Sequence, residues 1–166
     1  GFFLLLIFGV NQPIGSFFLY VLGVRIAFSF SATVIAAVVI SFPIMYRSAR
    51  GALEQVDEDL VAAARTLGMS ETSIFFKILV PNALPGIISG GVLSFARGLG
   101  EFGATAMLAG NIVGKTRTLP LAVYGEVVSS DMHSASFYVV VIIAICFTAV
   151  ILLNIYQLWV KKKRGY

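Results

Sequence analysis

The sequence predicts an all-α, polytopic bundle of transmembrane helices, with one polar, helical connector between two of its spans. Three observations predict it. Of the 166 residues, 58% are hydrophobic and 12% charged, with a mean hydropathy of +0.94, whereas soluble domains run near 45–50% apolar and about 25% charged. The apolar residues gather in runs, and three of these (27–46, 84–109 and 137–158) reach the roughly 20 residues a helix needs to cross a bilayer. Segment 57–81, DEDLVAAARTLGMSETSIFFKILVP, is polar yet carries helix signals throughout. Most of the chain must sit in lipid or against other membrane helices, as one membrane domain covering 1–166.

The elements follow in order. The chain opens on Gly1 and an apolar run with neither a methionine nor a charged flank. Segment 2–10 therefore reads as the surviving end of a helix, in a chain missing at least one N-terminal helix, and not as a signal peptide. Such a chain is expected to insert but not to transport. Asn11-Gln12-Pro13 breaks the run, and 17–24 is a short apolar stretch interrupted by Arg25, an interfacial segment or a bent connection. Run 27–46 is the first full span, with Pro43 as a kink near its end. The connector 57–81 comes next, then the span 84–109. A loop over 110–136 holds a short helix near 120–128, and 137–158 is the last span. Cys146 is the single cysteine, so an intrachain disulfide is impossible. The net charge of +4 is dispersed along the flanks of apolar runs, which is not the clustered footprint of a nucleic-acid binder.

Orientation follows from lysine and arginine placement. One side of the membrane holds Arg47, Arg50, Arg65, Lys77, Lys161, Lys162, Lys163 and Arg164; the other holds Arg25, Lys115 and Arg117. The positive-inside rule puts the connector and the C-terminal tail in the cytoplasm. Tyr156 and Trp159 sit where an interfacial aromatic belt belongs, and the basic tail serves as a topology anchor among the lipid headgroups.

Within the connector, Asp57 is placed to cap a first helix, Glu58 and Asp59 favour its positive end, and Arg65 favours its far end. Gly68 suits the left-handed residue that closes it. Leu60, Ala63, Ala64 and Leu67 share a face. Ser70 is placed to cap a second helix carrying Ile74, Phe75 and Ile78, which Pro81 should stop. Two short helices at an angle make a knob for a soluble partner, although a loop packed on its own membrane helices would show the same spacing.

This stretch resembles the EAA loop of bacterial ABC-importer permeases: Glu-Ala-Ala, three residues, Gly, nine residues, Ile, one residue, Leu-Pro. Here Ala63-Ala64 precede Arg65-Thr66-Leu67-Gly68, and nine residues later come Ile78, Leu79, Val80 and Pro81. Ala62 stands where the family has Glu, and Val80 where it has Leu; Glu58 and Asp59 are the carboxylates nearest the missing one. A second stretch, Ala96-Arg97-Gly98-Leu99-Gly100-Glu101-Phe102-Gly103-Ala104-Thr105, is followed by Gly110-Asn111-Ile112 and by Thr116-Arg117-Thr118-Leu119-Pro120, with Tyr124 beyond. It is similar to the molybdate branch, whose Gly-Glu-Phe-Gly core the sulfate and thiosulfate permeases share.

The resemblance implies a type I importer permease in a bacterial or archaeal cytoplasmic membrane, acting as a homodimer. It implies docking on a cytoplasmic ATPase subunit through Glu58, Asp59, Ala62, Ala63, Ala64, Gly68, Ile78 and Pro81. An extracytoplasmic binding protein would deliver the oxyanion to an outer face where Arg25, Lys115 and Arg117 help receive it. Arg97, Glu101, Gly103 and Thr105 would line or gate the pathway. The chain itself would catalyse nothing and hold no cofactor. A sulfate, thiosulfate or tungstate permease stays open as an alternative, as does a membrane anchor or sensor that docks a partner without transport.

Independently of the resemblance, Arg97 and Glu101 stand four apart, facing one way on a helix. A charge at a span's centre costs roughly 2.5–3.5 kcal/mol on insertion scales, so such residues face a bundle interior or a wet route. As a pair they neutralise each other, either to lock helices or to gate an anion path. The glycines Gly86, Gly90, Gly91, Gly98, Gly100 and Gly103 give small surfaces for close packing. Segment 109–116, AGNIVGKT, matches a permissive phosphate-loop pattern, but it follows a membrane run rather than a strand and meets Pro120. His133 beside Asp131 reads as a solvated loop pair, not a metal site.

Overall fold

The computed structural model describes residues 1–9, 12–22 and 26–164, and among them every regular element is helical. The helices are α1 (Phe2–Phe8), α2 (Pro13–Leu22), α3 (Phe30–Glu54), α4 (Glu58–Thr66), α5 (Glu71–Ile74), α6 (Val80–Leu99), α7 (Gly103–Leu108), α8 (Leu119–Val128) and α9 (Met132–Arg164), with a π-helical turn, Phe75–Leu79, between α5 and α6. Arg25, and the interruption expected there, lies outside the described residues.

Among the described residues, three helices are long and apolar enough to cross a membrane: Phe30–Glu54, Glu71–Leu99 and Met132–Trp159. Met132–Trp159 contains the run 137–158 and extends past it. Phe30–Glu54 covers run 27–46 only from residue 30, and Glu71–Leu99 covers run 84–109 only as far as Leu99; helix-forming polar residues prolong these two at their connector ends. At the end of α3, Arg50 and Glu54 pair at 2.7 Å across one turn. Pro43 stays inside α3, as prolines do in membrane helices whose freed backbone groups find other partners. The most apolar window of α9 buries none of its residues, so that surface is built to meet lipid or another chain.

The chain forms two compact units. The first comprises Gly1–Ser41 and Phe95–Phe147, and its core is Leu4, Ala32, Ala36, Ala104, Leu108 and Ala109. The alanines let α1, α3 and α7 approach closely, and the Phe28 N–H donates to the Leu108 carbonyl at 3.0 Å. Helix α8 starts with Pro120 in its first turn, where the missing N–H costs nothing. Its end closes through Ser130 at φ +65°, with the Ser130 N–H on Val127 O and the Asp131 N–H on Glu126 O. Asp131 then accepts from the Ser134 N–H at 3.0 Å, capping the start of α9.

The second unit comprises Phe42–Ser94 and Thr148–Tyr166. Here α3 and α6 run so close that a Cβ on Gly86 would stand 2.6 Å from the Ala52 Cβ, and one on Gly90 would collide with Ser48. The Gln157 side-chain N–H donates to Ser89 Oγ at 2.6 Å, tying α9 to α6.

Two expectations need correction. Pro81 does not stop the connector's second helix: α5, the π turn and α6 run on as one helical rod. The run 84–109 is not one helix either. It ends at Leu99, opens over Gly100, Glu101 and Phe102, and resumes as α7.

Candidate functional site

The connector folds as two short helices meeting at a braced corner. The Asp57 carboxylate accepts from the Asp59 N–H at 2.9 Å and opens α4. Gly68 closes it at φ +75°. The Met69 N–H reaches Ala64 O at 3.1 Å and the Gly68 N–H reaches Arg65 O at 2.9 Å, the two bonds of a left-handed helix stop. Ser70 Oγ accepts from the Ser73 N–H and opens α5. Across the corner Arg65 grips Glu71 with two parallel bonds, Nε to Oε1 at 2.7 Å and Nη2 to Oε2 at 3.1 Å. That pairing and the adjacent negative charge hold the Arg65 guanidinium above its usual pKa. A spacing of six hides this pair from a reading confined to helix-face intervals.

Beneath the corner Ala64 and Ile74 are buried. Glu58, Asp59, Ala62, Ala63, Leu67 and Gly68 lie exposed. The small alanines and the protruding Leu67, 82% exposed, form a surface turned away from the corner's own packing. Ile78 is half-buried within the π turn, and Pro81 is exposed on the first turn of α6. At the corner's base, Gln55, Asp57, Leu60 and Asn82 help line a recess of about 400 Å³.

The second cluster stands at the break between α6 and α7. Gly98 sits 3.7 Å, by its missing Cβ, from Ala37 and 3.8 Å from Ser41 of α3. Ala37 is the eighth of the 25 residues of α3, so the break lies beside the N-terminal third of that span. Arg97 Nη1 and Glu101 Oε2 pair at 3.2 Å, the arginine side chain 46% exposed and the glutamate 7%. The other Glu101 oxygen accepts from the Ala104 N–H at 2.8 Å. One carboxylate thus caps α7 and neutralises Arg97. Thr105 is buried, whereas Gly103 is exposed and a Cβ there would touch nothing within 4 Å. Of the four expected pathway residues, the structure brings Arg97 and Glu101 into contact and leaves Arg97 the half-open cation. Beside the break, Phe102, Pro120, Tyr124, Val127 and Ile142 help line an apolar recess of about 510 Å³.

The loop before α8 is knitted by Thr116, which is buried. Its Oγ1 accepts from the Ile112 N–H at 3.0 Å and donates to Gly110 O at 3.2 Å. Gly110 and Gly114 take φ near +72° and +74°. The phosphate-loop pattern is thus a self-bonded loop, and no helix opens until Leu119. Arg117 donates to Asn111 at 3.0 Å and pairs with Glu126 at 2.9 Å. Gly125 makes room for it, since a Cβ there would lie 2.8 Å from Nη2. Arg117 is therefore a compensated charge, while Lys115 is exposed. Arg25 lies outside the described residues. Among those described, no group of His, Cys, Asp and Glu is placed to hold a metal.

Comparison with known proteins gives a consistent result. Residues 1–165 match the family described as "Binding-protein-dependent transport system inner membrane component". The molybdenum transport system permease protein ModB of Escherichia coli (strain K12) is 51% identical over 124 residues, covering 75% of this chain and 54% of that protein. ModB of Mycobacterium tuberculosis is 41% identical over 145 residues, 87% of this chain and 54% of the relative. The sulfate transport system permease protein CysW of a Synechocystis strain is 34% identical over 157 residues, 95% of this chain and 56% of the relative. The chain spans little more than half the length of these curated relatives.

Proposed function

This chain belongs to the family of binding-protein-dependent transport system inner membrane components, and on that premise we propose that it is the membrane-spanning permease subunit of an ATP-driven importer that moves molybdate into the cytoplasm. The observation that carries the reading is the braced corner Asp57–Gly68–Glu71. It presents exposed Ala62, Ala63 and Leu67 between two helices long enough to span a bilayer. A capped, ion-paired corner of this kind can receive force from a docked ATPase without unravelling. The higher identity to molybdenum permeases than to the sulfate permease supports molybdate over sulfate.

In this reading residues 1–166 are part of one transmembrane domain, with the connector 57–81 and the C-terminus cytoplasmic. Glu58, Asp59, Ala62, Ala63 and Gly68 form the contact with the ATPase, and Ile78 and Pro81 transmit its movement. Ala64, expected among the contact residues, is buried and instead packs the corner from beneath. Two copies enclose the pathway. An external binding protein delivers the oxyanion to the outer face, where, among the described residues, Lys115 is exposed and Arg117, held by Glu126, shapes the loop. At the break, Arg97 offers its remaining N–H donors to a tetrahedral oxyanion, Glu101 fixes its position, and Gly103 and Thr105 border the route. ATP closure moves the corners and switches access from inward to outward; hydrolysis belongs to the partner.

The test is a cross-link. Ala63→Cys, paired with a cysteine in the groove of the ATPase subunit, should link in membranes, with a yield that changes when ATP is added. A chain that sits in the membrane with its corner unlinked in every nucleotide state would leave only the anchor or sensor reading.

A further inference from the structure

The rod from α5 to α6 contains five π-helical residues, Phe75–Leu79, in which the Val80 N–H reaches back to Phe75 O. Pro81 supplies a physical reason. It has no N–H, and in a regular α-helix its ring would strike the carbonyl four residues back, that of Lys77. Widening the turn that carries Lys77 moves this carbonyl aside and lets the helix continue. The Asn82 side-chain N–H donates to Ile78 O at 2.8 Å, steadying the widened turn from its far side.

The two ends of the rod are held differently. Below, α4 and α5 form one braced body through the Gly68 stop, the Arg65–Glu71 fork and buried Ala64 and Ile74. Above, α6 is pinned by Gly86 against Ala52, Gly90 against Ser48, and Gln157 on Ser89. Between these bodies Phe75, Phe76 and Lys77 are exposed, so the turn can exchange hydrogen-bond partners without disturbing a core.

We infer that Phe75–Leu79 is a built-in hinge, where exchange between i→i+5 and i→i+4 bonds lets the corner swing while α6 stays seated on α3. This rests on reading the corner as the ATPase contact and goes beyond it, by naming where the motion is absorbed. A π turn houses one surplus residue, so deleting Lys77 together with Pro81→Ala, which removes the ring that would otherwise strike the Phe76 carbonyl, restores the α-helical ladder with the flanking faces in register. Lys77→Ala keeps the length and removes only the charge.

The experiment uses the complete complex with its ATPase in lipid vesicles. In the chain lacking Lys77, the Ala63→Cys cross-link and ATP hydrolysis persist, while uptake per ATP falls by about tenfold. Lys77→Ala stays within about twofold of the unaltered complex. In the unaltered complex, the 75–79 amides exchange hydrogen faster than those of 87–93, and their rate changes with ATP. Unaltered uptake without Lys77 overturns the hinge. So do 75–79 amides that exchange no faster than those of 87–93 and ignore ATP, the measurement that decides if the deletion fails to assemble. Amides that respond to ATP while Ala63→Cys never links would retire the docking reading and keep the hinge.

Discussion

Glu101 does two jobs with two oxygens, and three substitutions separate them. Glu101→Gln keeps an acceptor for the Ala104 N–H but turns an amide toward Arg97. The lost interaction is an ion pair whose arginine is nearly half exposed, so solvent screening limits the cost to about 1 kcal/mol. Glu101→Ala removes the cap as well and strands an N–H beside buried Ala104. Adding about 1–3 kcal/mol for the unmet donor brings the total to roughly 2–4 kcal/mol. Arg97→Gln leaves a buried carboxylate without its countercharge, which costs about 3–5 kcal/mol in a fully buried pair and less here, because the arginine side is nearly half open to solvent. Combining Arg97→Gln with Glu101→Gln should cost less than the sum of the singles, with a coupling near 1 kcal/mol. Unfolding of the chain in lipid discs measures the series, and molybdate uptake is measured alongside. If Arg97 meets the oxyanion, the double variant assembles but transports poorly; if the pair only locks helices, transport returns with assembly. Glu101→Ala no worse than Glu101→Gln would refute the capping argument. Singles that both match wild type would show that the pair serves neither assembly nor transport.

Three further outcomes are expected. A Cβ on Gly68 meets no atom within 4 Å, so the main cost of Gly68→Val is the left-handed backbone, about 1–2 kcal/mol and greatest for a β-branched residue; uptake per ATP should fall, with Gly68→Ala between, and unchanged coupling would argue against the tight corner. Gly90→Ala should overpack α3 against α6 by about 1–3 kcal/mol, and adding Ser48→Gly should restore thermal stability if that contact is the cause. The Asp131 carboxyl is held below its ordinary value, chiefly by the Ser134 N–H and then by its hydroxyl. Its capping of α9 is therefore complete at neutral pH and lost only as pH falls through the lowered value. Protection of the Ser134 amide, its exchange compared with the unfolded-chain rate at the same pH, should fall in that acid window, and Asp131→Ala should remove that change in protection.

What was legible in the sequence was local. Asp57, Gly68 and Ser70 were readable as caps because capping chemistry is confined to a few neighbouring residues, and the structure finds each in that place. The same locality misled at Pro81. A proline ends a helix only if the clashing carbonyl cannot move, and the widened turn moves it. The run 84–109 was readable as apolar but not as broken, because the break depends on Glu101 meeting both Ala104 and Arg97. The Arg65–Glu71 fork and the Arg117–Glu126 pair join residues six and nine apart, intervals that carry meaning only once a corner or a helix start has folded. Arg117 stood out as a receiving cation for want of that second partner.

In the proposed function this chain couples a molybdate-loaded binding protein outside to an ATPase inside. The direct measurement is ATP hydrolysis by the reconstituted complex of the protein carrying this sequence, with binding protein offered empty, molybdate-loaded or sulfate-loaded. Stimulation by the molybdate-loaded form should exceed that by the other two and be lost in Gly68→Val, while hydrolysis by the isolated ATPase is unchanged. Equal rates with all three forms, or greater stimulation by the sulfate-loaded form, would contradict that function.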